Sequence, residues 1–219
     1  RNIYKKNGFV IPDFKMPEEH LLEIEDKHNN LIKKNPEYKN YCPALLLEDE
    51  SFLKYCLNDK ILDYVEQLIG SNFALWNSSF FAKPPKNGFE TPWHQDGQYW
   101  PINPLATCTV WLAIDDANEN NGCLRFIEGS HKNKKLKTHI RNDNERLTLH
   151  QELQIDKLDQ LKTVNLILKR GQISLHDVYM VHGSKENKSV YPRRAITMRF
   201  MPLSSKFDHS FIFDSKKKF

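Results

Sequence analysis

Apolar positions recur in two different rhythms along the chain, and the change falls at Gly70. Ahead of it, Leu21, Ile24, His28 and Leu31 return at the spacing of one helix face. Pro17 followed by Glu18 and Glu19 marks the start of that helix, because proline fits a first turn and acids suit the positive end of the helix dipole. A second helix has Asn58 as N-cap, Ile61, Leu62, Val65, Leu68 and Ile69 as its stripe, and Gly70 as its stop. Beyond Gly70 come short runs rich in β-branched and aromatic residues, at 73–82, 106–115, 122–128, 163–168, 171–176 and 193–201. Pro84-Pro85, Asn121-Gly122, Gly129-Ser130, Arg170-Gly171 and Gly183-Ser184 supply turns between them. Strands this short and this closely spaced predict a sandwich or barrel. The expected organisation is one domain over residues 1–219, mainly helical to residue 70 and mainly β from 71 to 203. His131–Leu161 breaks the rhythm, being long, charged and poor in strand formers. A stretch of that kind is expected to be an excursion beside a site mouth, with room for a short helix.

Composition agrees with a packed core: 39% of residues are hydrophobic and 27% charged, too apolar for wholesale disorder. Aromatic residues reach 11%, which favours sheet. The net charge of +4 owes much to Lys132–Lys137 and Lys216–Lys218, read as solvated loop and tail. A sustained basic face threaded with aromatics is missing, so a nucleic-acid partner is not expected. Cys42, Cys56, Cys108 and Cys123 have no CxxC or disulfide-framework spacing and read as free thiols of a reducing compartment. No apolar run approaches the ~18 residues of a membrane span, and the first residues are not an apolar leader. The expectation is a cytoplasmic protein with a small-molecule substrate and no membrane partner.

The candidate chemistry begins at Thr91–Trp100, which contains His94-x-Asp96. On extended backbone, residues two apart face the same side, so an imidazole and a carboxylate converge. His182 is the best third ligand. Two histidines and one carboxylate make the facial triad of non-haem Fe(II) oxygenases, which leaves positions open for co-substrate and oxygen. The pair alone does not separate a metal site from ordinary loop polarity, and nine histidines offer other partners. His176-Asp177 is adjacent, so its side chains diverge on a strand, while His131, His139, His150 and His209 lie in polar stretches and are expected to be exposed.

The surrounding text is more specific. Trp93-His-Gln-Asp96 is followed by Thr109-Val-Trp-Leu-Ala-Ile-Asp-Asp116 and Asn121-Gly-Cys-Leu-Arg-Phe-Ile-Glu-Gly-Ser-His131, then by Gly171-Gln-Ile-Ser-Leu-His-Asp177 and the segment from His182-Gly-Ser184 to Pro192-Arg-Arg194. In this order, over roughly residues 73–203, the chain resembles the phytanoyl-CoA dioxygenase family of Fe(II)/2-oxoglutarate oxygenases. The resemblance implies a double-stranded β-helix (jelly-roll, cupin-like) core, mainly β, with flanking helices. It implies iron on His94, Asp96 and His182, with 2-oxoglutarate and O2 as co-substrates. It also places Arg193, eleven residues beyond His182, on the far carboxylate of 2-oxoglutarate, with Ser184 and Trp111 beside the same molecule.

Strand periodicity supports Arg193 over Arg194. Arg193, Ala195, Thr197 and Arg199 share one face, and Arg194, Ile196, Met198 and Phe200 the other. The polar, small-residue face is the one suited to line a barrel, and a guanidinium grips a carboxylate in two places. The same alternation sets Thr109 beside Trp111, as a further 2-oxoglutarate contact. Gln95, Tyr99 and Trp100 flank the metal pair and are candidates for substrate contact. The expected reaction is hydroxylation of a small polar or anionic metabolite, with succinate and CO2 as co-products. Asp96 stands where related halogenases carry a small residue. An AlkB-type nucleic-acid demethylase is a weaker alternative, because Ala195 replaces the asparagine of that signature and Arg193 lies too near His182. A non-catalytic jelly-roll binding protein is the rival from another class.

Overall fold

A computed structural model describes residues 1–155 and 161–208. Both expected helices form, as Glu18–Lys34 and Asp59–Ile69. The first buries Leu21, Ile24, His28 and Leu31. In the second, the Asn58 side chain accepts from the Ile61 amide, and Gly70 ends the helix at φ 90°.

Two antiparallel sheets follow. The larger runs Phe9–Val10, Ile173–Asp177, Cys108–Ala113, Arg193–Pro202, Phe73–Lys83 and Tyr41–Cys42, side by side in that order. The smaller runs Thr163–Leu166, Leu124–Ile127, His182–Ser184 and Thr91–His94. Mostly β and built as two facing sheets, this is the jelly roll expected from the sequence. Each of the six expected runs contains a strand, with the ends shifted by up to two residues. The Lys216–Lys218 tail and His209 lie outside the described residues.

Register separates the two faces of the larger sheet. Leu175, Val110 and Met198 lie in one cross-strand row, and Ile173, Leu112, Ile196 and Phe80 in the next. These rows pack with Leu21, Ile24, Ile61 and Val65 of the two helices into the main core. The intervening rows, His176–Thr109–Arg199–Asn77 and Ser174–Trp111–Thr197–Ser79, point inward between the sheets. The helices cover the apolar face, which leaves the polar face to build a site. Arg194, on the helix side, donates to both oxygens of Asp115 at 2.7 and 2.8 Å and meets Glu25 of the first helix at 2.8 Å. That ion cluster ties helix to sheet.

The excursion differs from expectation in one respect. Among its described residues no helix forms. Instead His139–Arg141 pairs with Gln151–Leu153 as a hairpin, and Leu153 is buried with Trp93, Ile127 and Val181. Those strands are short and mostly polar, and Leu153 alone among their residues is buried. His131 is likewise buried, not exposed, with Nε2 3.1 Å from the Lys5 carbonyl, and His139 and His150 are half-buried. All four cysteines are free and buried, and no helix among the described residues is long and apolar enough to cross a membrane.

His28 carries a pH dependence. Its ring stacks on Phe80, centroids 4.0 Å apart and 7° from parallel, and neither nitrogen has a hydrogen-bond partner. Burial, with a smaller contribution from the Arg194 charge, pushes its pKa down to about 4. The unfolded chain takes up that proton near the ordinary ~6.5, so stability held above 6.5 is lost as pH falls toward the folded value. His28→Leu is expected to remove up to about 3 kcal/mol of this acid-side loss. The check is Tm against pH from 6.5 to 4: the variant gives a shallower slope, and parallel slopes refute the assignment.

Candidate active site

The site begins where two strands of the smaller sheet meet. His182 lies directly opposite His94 across the antiparallel pair, with ring centroids 4.2 Å apart. Gly183 permits this approach, since a Cβ there would stand 2.9 Å from the Thr91 carbonyl oxygen. The Nδ1 of His94 donates to the Pro92 carbonyl at 2.8 Å, and that of His182 to the Met180 carbonyl at 2.9 Å. A carbonyl only accepts, so both Nδ1 atoms carry the hydrogen and both Nε2 lone pairs are free to bind a metal.

Gln95 is extended (φ −120°, ψ 128°) and returns Asp96 to the side of His94, at the start of a single 3-10 turn, Asp96–Tyr99. Asp96 Oδ1 lies 3.7 Å from His94 Nε2 and 3.9 Å from His182 Nε2. Its Oδ2 accepts from Thr109 Oγ1 at 2.9 Å. One ligand atom from each of these three buried residues lies within 4.8 Å of the others, which places them to hold a metal ion. Burial alone would raise the Asp96 pKa, but the His176 imidazole and the charge of Arg199 hold it well below the carboxylate range. Burial keeps His182 neutral, with its pKa well below the imidazole range. An ionised carboxylate and neutral imidazoles are the protonation states a divalent metal needs.

Inward from the triad, a narrow cavity is lined by Trp111, Ser184, Arg193 and Thr197 among others. Arg193 is 2% exposed. Its Nε donates to the Gly122 carbonyl at 3.0 Å and one terminal nitrogen reaches Ser184 Oγ at 3.5 Å. The other, Nη1, is buried with no hydrogen-bond partner among the described residues. The Trp111 ring lies 5.6 Å from the guanidinium carbon. Burial pulls the Arg193 pKa down to about 10, so the group stays charged at neutral pH. Thr109 also lines this cavity, but its hydroxyl is engaged with Asp96.

Gln95 corrects an expectation. Its side chain turns away from the cavity, donating to the carbonyls of Lys135 and Tyr179 and accepting from the Lys137 amide. Its own amide donates to His139 Nε2 at 3.1 Å. Gln95 therefore fastens the excursion to the turn between two candidate ligands and is not placed for substrate contact. Tyr99 and Trp100 do line a second, outer cavity that shares His94, Asp96 and Arg199 with the inner one.

Two site residues were not assigned from sequence. His176 is 1% exposed, with Nε2 3.6 Å from Asp96 Oδ2, just beyond hydrogen-bond reach. Strand alternation carried the signal, because His176 pairs with Thr109 in the inward row while Asp177 turns outward. Arg199 occupies the same row.

The chain matches the phytanoyl-CoA dioxygenase (PhyH) family over residues 6–195. It belongs to that family. Peroxisomal phytanoyl-CoA dioxygenase of Bos taurus is 33% identical over 228 aligned positions, covering 91% of this chain and 67% of the relative, and the Homo sapiens enzyme is 27% identical with the same coverage. The epimerase SnoN from nogalamycin biosynthesis, a non-haem α-ketoglutarate-dependent enzyme, has the same fold at a TM-score of 0.78 and 18% identity, over 97% of this chain and 85% of its own. As a member of the phytanoyl-CoA dioxygenase family, the chain is a dioxygenase that uses iron and 2-oxoglutarate.

The Gln95 contacts yield a mutational test. Gln95→Ala removes three side-chain hydrogen bonds and is expected to raise hydrogen exchange in residues 131–155 by about tenfold or more, while iron binding persists. Unchanged protection there would show that the hairpin is held by Leu153 and its neighbours alone.

Proposed function

We propose that this dioxygenase hydroxylates a small polar or anionic molecule, with His94, Asp96 and His182 as iron ligands and Arg193 as the anchor for the distal carboxylate of 2-oxoglutarate. Succinate and CO2 are the co-products on this reading. The observation that carries it is Arg193 itself, a buried guanidinium whose Nη1 has no hydrogen-bond partner and which has no carboxylate partner among the described residues, in the same cavity as the triad. A buried charge left this way is costly, and a dicarboxylic ligand removes the cost.

Each residue then has a defined task. The Pro92 and Met180 carbonyls hold both imidazoles in the ligating tautomer. Thr109 holds one Asp96 oxygen, so the other is turned toward the histidines. Ser184 and Trp111 steady the Arg193 guanidinium, whose bidentate grip fixes the co-substrate in one orientation. Bound iron and 2-oxoglutarate supply the oxidising chemistry with O2. Trp76, Tyr99 and Trp100 wall the outer cavity and exclude water from the face at which substrate enters.

The test is anaerobic addition of Fe(II) and then 2-oxoglutarate to metal-free protein, followed by succinate measurement in air. Wild type is expected to give the visible metal-to-ligand charge-transfer band. Asp96→Ala and His182→Ala lose it, and Arg193→Met weakens 2-oxoglutarate binding about 10- to 100-fold. Iron binding without the band or succinate would favour the non-catalytic binding protein instead.

A further inference from the structure

The arginines that reach the first helix are paired with acids. Arg194 has Asp115 and Glu25, and Arg170 has Glu18 and Glu25. Arg199 is an exception that co-substrate binding at Arg193 does not account for. It is 5% exposed, and no carboxylate among the described residues lies within 4.0 Å of it. Its Nη1 donates to Asn77 Oδ1 and Ser79 Oγ, both at 2.7 Å. Those two neutral acceptors orient the guanidinium without neutralising it. Its Nε is buried with no hydrogen-bond partner among the described residues, and its guanidinium carbon lies 5.3 Å from the centre of the Trp100 ring.

The location is as telling as the missing partner. Arg199 lines both cavities, and the only acid lining either of them, among the described residues, is Asp96. One Asp96 oxygen is held by Thr109, and the carboxylate belongs to the triad. Arg193 and Arg199 share the inward face of one strand, and at ~3.3 Å per residue their Cα atoms are roughly 20 Å apart. The outer cavity beside Arg199 is walled by Tyr41, Trp76, Tyr99 and Trp100, a surface for a compact planar or apolar body.

We propose that Arg199 anchors a carboxylate or phosphate-type oxyanion on the molecule that the enzyme oxidises, seating that molecule's body among the aromatic residues of the outer cavity. The assignment rests on the iron and 2-oxoglutarate reading above and adds the chemical class of the primary substrate to it. Asn77 and Ser79 are positioning residues that hold the guanidinium toward the cavity.

Calorimetric titration of the metal-free protein with benzoate, benzamide and inorganic phosphate tests this without turnover. Wild type is expected to bind one of the two anions at least about tenfold more tightly than benzamide, with the stronger anion identifying carboxylate or phosphate chemistry. Arg199→Met abolishes that preference and leaves 2-oxoglutarate affinity of the iron form within about twofold, whereas Arg193→Met does the reverse. Arg199→Lys retains the charge and the sign of the preference, which separates loss of the anchor from a folding defect. Equal binding of benzoate and benzamide with no response to phosphate in wild type overturns the proposal. So does a 2-oxoglutarate defect in Arg199→Met equal to that of Arg193→Met. If the iron form fails to bind 2-oxoglutarate while the Arg199-dependent preference persists, the co-substrate reading falls and the anion site stands.

Discussion

Neighbouring residues on the strand Arg193–Pro202 point to opposite faces, so a register slip of one residue would bring Arg194, Ile196 and Met198 into the cavity. It would also press Arg193, Thr197 and Arg199 against the helices. The apolar layer under Glu18–Lys34 and Asp59–Ile69 forbids that slip, because Ile196, Met198, Val110 and Leu112 are fully buried there. The helices thus act on the site from a distance. By covering the apolar face, they decide which face of the larger sheet looks inward.

The smaller sheet has a different constraint. It must bring His94 and His182 face to face and leave both Nε2 lone pairs turned toward Asp96. Backbone supplies most of what is needed: a strand pair tight enough to demand Gly183, and two carbonyls that fix the tautomers. Charge is handled in opposite ways on the two sides of the larger sheet. Toward the helices, arginines are paired with acids and the cluster ties helix to sheet. Toward the cavity, Arg193 and Arg199 have no acidic partner within 4.0 Å among the described residues, the feature on which the proposed anion sites rest.

Much of this was legible in the sequence because it follows local periodicity. The helix stripes at Leu21–Leu31 and Ile61–Ile69, the six strand runs and the inward placement of Arg193 all depend on neighbours a few residues away. The convergence of His94 with Asp96 needed only one extended residue between them, and Gln95 is extended. The contacts of Gln95 were not legible, because its partners are backbone groups of Lys135, Lys137 and Tyr179, remote in sequence. His176 was weighed only as a neighbour of Asp177, although its strand alternates Ser174 and His176 inward as plainly as any other. The hairpin within 131–155 escaped for a physical reason: Leu153 alone among its paired residues is buried, so its pairing leaves no apolar signature. The burial of His131 likewise depends on a contact with Lys5 at the other end of the described chain.

The two fixed tautomers carry a consequence for metal supply. Because His94 and His182 are held in ligating form by Pro92 and Met180, little reorganisation is left for an arriving ion to drive. A site prepared in advance with nitrogen and oxygen donors takes whichever divalent ion fits, and intrinsic affinities rise from manganese through iron and cobalt to nickel and copper. Selectivity for iron is then a property of the cell's metal pools more than of this pocket.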